Sequence, residues 1–276
     1  MNSMRWAARL LLLPLLILSF LSFASFAYAD ERPSVFLEDL TWTELSDAIG
    51  AGKTTIIMPI GGTEQNGPAM ALGKHNRRVK LLSERIAVSL GNALVAPVIA
   101  YVPEGSISPP SGHMRFPGTI SVPDAAFETI LEYAARSFKQ HGFKDIVFLG
   151  DHGGYQADEK NVANKLNREW ASSNVRAHAV TQYYDAAQTD FAQILKGQGF
   201  TPSEIGTHAG LNDTSLMLAL DPSLVREDRL ANGTKFGSAD GVYGDPSKAS
   251  AKLGSLGVDA IVSRTVAAMK SAVSQR

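Results

Sequence analysis

Three histidines of this chain stand beside glycines or in a glycine-broken loop: His75, His152 and His208. Each has a carboxylate close by in sequence: Glu64 before His75, Asp151 before His152, and Asp213 after His208. Imidazole and carboxylate from separate loops make a hard-to-borderline set for a divalent Zn, Mn or Fe ion. Cysteine is absent, which removes thiolate ligands, a cysteine nucleophile and a disulfide framework. Glu64, His75, His152 and Asp213 are the candidate metal ligands. Alternatives stay open: taken singly, each histidine has a structural reading, Asp213 also suits a helix cap, and Asp151 suits support of a ligand rather than ligation. Of the other histidines, His113 lies in a long loop within reach of a substrate, His141 suits a helix C-terminus, and His178 falls in a strand.

These residues need elements to bring them together. The stretch Met58 to His75 starts as a buried strand (Thr54 to Pro59), breaks at Gly61-Gly62 and exposes Glu64. A second strand, Asp145 to Leu149, runs into Gly150-Asp151-His152-Gly153-Gly154. Further strands are expected at Leu94 to Tyr101, where Pro97 favours an edge or an early break, and at Val175 to Tyr183. Helices are expected after a capping box at Thr41 to Glu44, from Asn76 to Leu90 on an apolar stripe of Val79, Leu82, Ile86 and Val88, and from Pro123 to Gln140. More follow at Gln156 to Ala171, Asp185 to Gly199, Asp213 to Leu220 and Val258 to Ala272. Alternating strands and helices predict an α/β fold: a three-layer sandwich with a mainly parallel sheet. Such sheets build their sites at the carboxyl ends of the strands. The segment Glu104 to Thr119, rich in Gly, Ser and Pro, is expected to cover that end of the sheet and to close over a substrate.

Length and composition bound the rest. Arg5 and Arg9, the apolar run Leu10 to Phe23 and Ala27-Tyr28-Ala29 have the pattern of a secretory signal peptide over residues 1–29. The run is shorter than the roughly 20 residues of a comfortable membrane span, and the arginines are not adjacent, so the general secretory route is expected. Cleavage would leave residues 30–276 as one α/β domain, periplasmic or secreted and with no membrane association, and would take the net charge from −1 to −3. No basic patch suggests nucleic acid. No G-x-S-x-G, G-x-G-x-x-G or P-loop is present, which leaves a serine hydrolase, a dinucleotide enzyme and a nucleotide hydrolase without support.

The order of sequence blocks resembles one family. PIGGTEQNGP with LGKH, FPGTIS, HGFKDIVFLGDHGG, HAG followed by TSLMLAL, and a late GV-x-GDP are similar to the creatininase family (creatinine amidohydrolase and relatives), from about Leu40 to the final helix. The resemblance implies a creatininase-like α/β sandwich, metal-dependent hydrolysis of cyclic or linear amides, and a homo-oligomer, commonly a hexamer. It also implies two divalent ions, held by an E-x-H in the first loop, an Asp after the LG turn, the glycine-loop His and a Glu after HAG. Glu64 and His152 match. Asp213 takes the later Glu position with one methylene less. The E-x-H is Glu64-Gln65-Asn66, so an imidazole has become an amide, and His75 replaces the Asp. An imidazole does not bridge two ions as a carboxylate does, so one ion rather than two, or none, is expected. Gly154 stands where creatinine-cleaving members carry Glu, which points to another small-molecule amide, and Leu211 replaces a further acidic position. On this reading Glu64 and His208 act in catalysis, His208 by proton transfer or oxyanion stabilisation. The competing reading is a non-catalytic relative that binds a small molecule.

Overall fold

The computed structural model describes residues 34–231 and 235–274. The signal-peptide segment, residues 1–29, lies outside them. Four strands form one parallel sheet in the order β2-β1-β3-β4: β1 (Thr55–Ile60), β2 (Ala93–Val95), β3 (Asp145–Gly150) and β4 (Arg176–Ala179). β1 and β3 are in register along their whole length, from Thr55 opposite Asp145 to Ile60 opposite Gly150. Both are fully buried, which explains their unbroken runs of β-branched and apolar residues.

The pleat sends alternate residues to opposite faces. Ile57, Val147 and Leu149 pack with Val79, Leu82 and Ile86 of α2 (Lys74–Leu90) on one face. Ile56, Met58, Ile146 and Phe148 pack on the other with Phe127 and Leu131 of α3 (Asp124–Gln140) and with Val162 and Leu166 of α4 (Gln156–Glu169). α1 (Trp42–Gly50) starts at the expected capping box, Thr41 with Glu44. The first face is completed by α5 (Phe191–Gly197), α6 (Leu211–Leu220) and α7 (Ala251–Ser274). Where α7 crosses α6, a Cβ on Gly254 would overlap the Ser215 carbonyl oxygen, so the two backbones meet there directly. This is the expected α/β sandwich.

Local departures have local causes. β2 stops at Val95, two residues before Pro97, which has no N–H for the ladder. β4 ends at Ala179, and the chain turns into helix at Gln182 instead of staying extended to Tyr183. α2 begins at Lys74, two residues earlier than its apolar stripe suggests, and Val88 is exposed, off the packed face. α7 starts at Ala251, seven residues ahead of the expected Val258. His178 on β4 pairs with Asp145 at 3.0 Å and takes no part in the site.

Candidate metal centre

The strand order reverses between β1 and β3, and their carboxyl ends open onto the site. Tyr155 ties the two ends together. Its hydroxyl donates to the Gly61 carbonyl at 2.6 Å and accepts from the amides of Asp151 at 3.2 Å and His152 at 3.0 Å. Glu64 follows β1, and Asp151 and His152 follow β3. Lys74, His75 and Arg78 come from the first two turns of α2. His208, Ala209 and Asp213 come from the turn into α6. Ala209 holds a left-handed backbone (φ 52°), uncommon for a residue with a Cβ, and its amide donates to Asp213 Oδ2 at 2.9 Å.

Glu64 is the centre of the arrangement and is wholly buried. Its two oxygens face different surroundings. Oε1 lies 2.6 Å from His75 Nε2, 3.5 Å from Lys74 Nζ and 3.6 Å from His208 Nδ1. Oε2 makes no hydrogen bond and faces His113 Nε2 at 3.1 Å and His152 Nε2 at 3.7 Å. Burial would raise the Glu64 carboxyl, but His75 and Lys74 hold it well below the usual carboxylate range.

On the Oε1 side lies a closed network of ion pairs. His75 spends both ring nitrogens on carboxylates, Nδ1 on Asp151 at 2.6 Å and Nε2 on Glu64. Arg78 Nε donates to Asp151 at 2.9 Å and its Nη1 to Asp213 at 2.6 Å. Lys74 Nζ donates to the other Asp213 oxygen at 3.1 Å. Against the cost of burial, Arg78 and His75 keep the Asp151 carboxyl low, and Lys74 and Arg78 keep that of Asp213 low.

On the Oε2 side each imidazole uses Nδ1 on a neighbour, His113 on Gln65 and His152 on the Gly154 amide, and turns Nε2 toward Glu64. Glu64, Glu104, His113 and His152 each bring one ligand atom within 4.8 Å of the others. Neither oxygen of Glu104 has a hydrogen-bond partner although the residue is buried. Burial, and then the charge of Glu64, push its carboxyl up to about 9. Burial also pulls His152 down to about 3 and lowers His113, so both imidazoles are neutral near pH 7. Without an ion Glu104 therefore keeps its proton near pH 7, next to the Glu64 carboxylate; a cation that displaced that proton would meet two close carboxylates and two neutral imidazoles.

The structure brings His75, His152, His208 and Asp213 around one cavity of about 330 Å³, also lined by Lys74, Arg78, His113, Tyr184 and Tyr243, with Glu64 buried behind it 3.6 Å from His208 Nδ1. Glu64 and His152 face the open donor set. His75 and Asp213 have their polar atoms committed to the ion-pair network. His208 Nε2 lies 3.1 Å from the Gln65 side-chain amide and, closer, 2.9 Å from the Gln65 carbonyl, which can only accept; donation to the carbonyl leaves Nδ1 as the acceptor nitrogen, and burial lowers this imidazole to about 4. Asn66 points its amide at backbone, donating to the carbonyls of Glu64 at 2.9 Å and Ala71 at 3.1 Å, and so braces the loop.

Sequence reasoning did not place Glu104 or His113 among the ligands. Both belong to the long loop, which is seated on the site: Ile120 N donates to Thr63 O at 2.9 Å and Gln65 N to Thr119 Oγ1 at 3.2 Å. The only signal was their position at a strand's carboxyl end in a glycine-rich segment. Lys74 and Arg78 were missed because cations in a helix read as solvent-facing.

The creatininase family profile, described as creatinine amidohydrolase, matches residues 38–269. Creatinine amidohydrolase of Pseudomonas putida is 29% identical over 202 residues, covering 72% of this chain and 76% of that protein. The mycofactocin precursor peptide peptidase of Mycolicibacterium smegmatis is 28% identical over 223 residues, covering 72% and 77%. A solved structure of creatininase with Mn superposes with a TM-score of 0.70 at 27% identity, covering 86% of this chain and 98% of that one. With the parallel sheet and the strand-end site in place, the chain belongs to the creatininase family.

Proposed function

We propose that this protein is a metal-dependent amidohydrolase that cleaves the C–N bond of a small cyclic or linear amide. The observation that carries this reading is the buried Glu64–Glu104 pair, whose unbonded oxygens face two neutral imidazoles. A single Zn, Mn or Fe ion fits that donor set and would be held by Glu64, Glu104, His113 and His152. When bound, such an ion supplies an acidified water and polarises the amide carbonyl. The protein's own groups do the rest. His208 Nδ1, left as acceptor by donation from Nε2 and 3.6 Å from Glu64 Oε1, would take a proton from the attacking water and return it to the leaving nitrogen. Tyr184 and Tyr243 line the cavity and offer hydroxyls to orient a polar substrate. The seated loop that carries Glu104 and His113 limits water in the centre.

The relatives named above act on creatinine and on a precursor peptide, so the family supports amide cleavage of more than one kind. Gly154, where the creatinine-cleaving members resemble one another in carrying Glu, favours an amide other than creatinine. The commitment of His75 and Asp213 to ion pairs favours, as a second reading, a relative that binds a small molecule without turnover. Elemental analysis separates the two. A stoichiometric transition metal that is lost in Glu104→Ala and His152→Ala, with turnover on an amide panel, supports the hydrolase. Metal-free protein that stays inert on that panel after addition of zinc or manganese refutes it. Export through the residue 1–29 signal belongs to the same proposal, checked by a mature N-terminus at Asp30. So does a homo-oligomer, checked by light scattering, with a hexamer the form that the resemblance implies.

A further inference from the structure

We infer that Lys74 is a built-in cation standing in the place of a second divalent ion. Its ammonium bridges Glu64 Oε1 at 3.5 Å and Asp213 Oδ2 at 3.1 Å, and the side chain is 1% exposed. It lies on the opposite carboxylate oxygen of Glu64 from the open donor set, so Glu64 joins a resident cation, Lys74 on Oε1, to a group able to take one, Glu104, His113 and His152 on Oε2. The inference rests on the metal reading only for the second of these.

Two arguments assign Lys74 this role. The first is space. A divalent ion held by Glu64 Oε1 and Asp213 Oδ2 would sit about 2.0–2.2 Å from each oxygen, in the volume the ammonium fills. Around Glu64 Oε1 itself the other places are taken by His75 Nε2 at 2.6 Å and His208 Nδ1 at 3.6 Å, so an ion there would have to displace the ammonium. The second is charge. The buried carboxylates Glu64, Asp151 and Asp213 already face Lys74, Arg78 and a His75 that meets a carboxylate at each nitrogen. A dication on the Oε1 side would stand against two resident cations, Lys74 and Arg78, in a medium where uncompensated charge is costly. Removing the ammonium while keeping its stem opens both the space and the charge deficit. Lys74 is thus a positioning and charge-balancing residue, and its readout is a count of ions.

The test is equilibrium dialysis of wild type, Lys74→Met and Lys74→Arg against Mn²⁺ alone, with bound ion counted by mass spectrometry. Lys74→Met is expected to bind one ion per chain more than wild type, and Lys74→Arg the same number as wild type. Equal counts in wild type and Lys74→Met, an extra ion in Lys74→Arg, or two ions in wild type overturn the inference. If wild type binds none and Lys74→Met binds one, the inference stands and the hydrolase reading fails. Should Lys74→Met not fold, wild-type crystals soaked in Mn²⁺ decide. One anomalous peak, among Glu64, Glu104, His113 and His152, supports the inference, and a peak between Glu64 and Asp213 overturns it.

Discussion

Replacing Arg78 by Met tests the electrostatic account of the site most directly. Met keeps an unbranched apolar stem of similar reach, so the change removes charge and hydrogen bonds with little loss of packing. Arg78 is fully buried and donates to both oxygens of Asp151, at 3.1 and 2.9 Å, and to Asp213 at 2.6 Å. Removing one partner from a buried ion pair costs roughly 3–5 kcal/mol. Neither carboxylate is left bare here. Asp151 keeps His75 at 2.6 Å and the Tyr183 hydroxyl at 2.6 Å, and Asp213 keeps Lys74 and the Ala209 amide. The lower end, about 3 kcal/mol, is therefore expected, which for a domain of this size lowers Tm by roughly 6–12 °C. The assay is urea and thermal unfolding followed by circular dichroism at matched protein concentration. A double-mutant cycle with Asp213→Asn adds a second criterion. The amide of the Asp213→Asn variant carries no charge to strand, so the double variant should lose less than the sum of the singles by about 0.5–3 kcal/mol. A loss under about 1 kcal/mol for Arg78→Met, or strict additivity with Asp213→Asn, would refute the claim that these ion pairs balance one another.

Tyr155→Phe removes the hydroxyl that bridges the ends of β1 and β3 and is expected to cost about 1–3 kcal/mol, read by urea unfolding. The same variant should bind Mn²⁺ more weakly in dialysis, because Glu64 and His152 lose their common brace. Gly254→Ala forces a Cβ into the Ser215 carbonyl and should destabilise by at least about 1–3 kcal/mol. Gly197→Ala, with open space around the added methyl, should stay within about 0.5 kcal/mol of wild type. Equal Tm values for these two alanine variants would contradict the direct backbone contact of α6 and α7.

The architecture was legible because β1 and β3 are unbroken apolar runs that end in glycines, and such runs have few other readings. The placement of Glu64 and His152 at the strand ends was legible for the same reason, although position alone does not fix orientation, since Asn66, equally near β1, turns its amide to backbone. Glu104 and His113 were not, because their loop has no periodicity and its path is set by hydrogen bonds to Thr63 and Gln65, distant in sequence. Lys74 and Arg78 continue the helical spacing of Leu82 back into the first turns of α2, at intervals of four. That continuation is the signal that marks them as buried, but a cation on a helix ordinarily means solvent, and the pattern gives way at the residue type. His75 and Asp213 had ligand chemistry in the sequence. What the sequence did not carry was the supply of cations and carboxylates around them, which exists only after folding.

The ion-pair network also bears on the order in which the chain assembles. Arg78 meets Asp151 across 73 residues of sequence and Asp213 across 135. No local nucleus brings these groups together, and each pair forms only when α2, the end of β3 and the start of α6 have docked. Interactions closed that late are absent from the folding transition state, so weakening them accelerates unfolding and leaves the folding rate nearly unchanged. The buried charges thus act as a latch on the finished domain, setting how long it persists once formed, and stopped-flow chevrons of Arg78→Met would show the change in the unfolding limb.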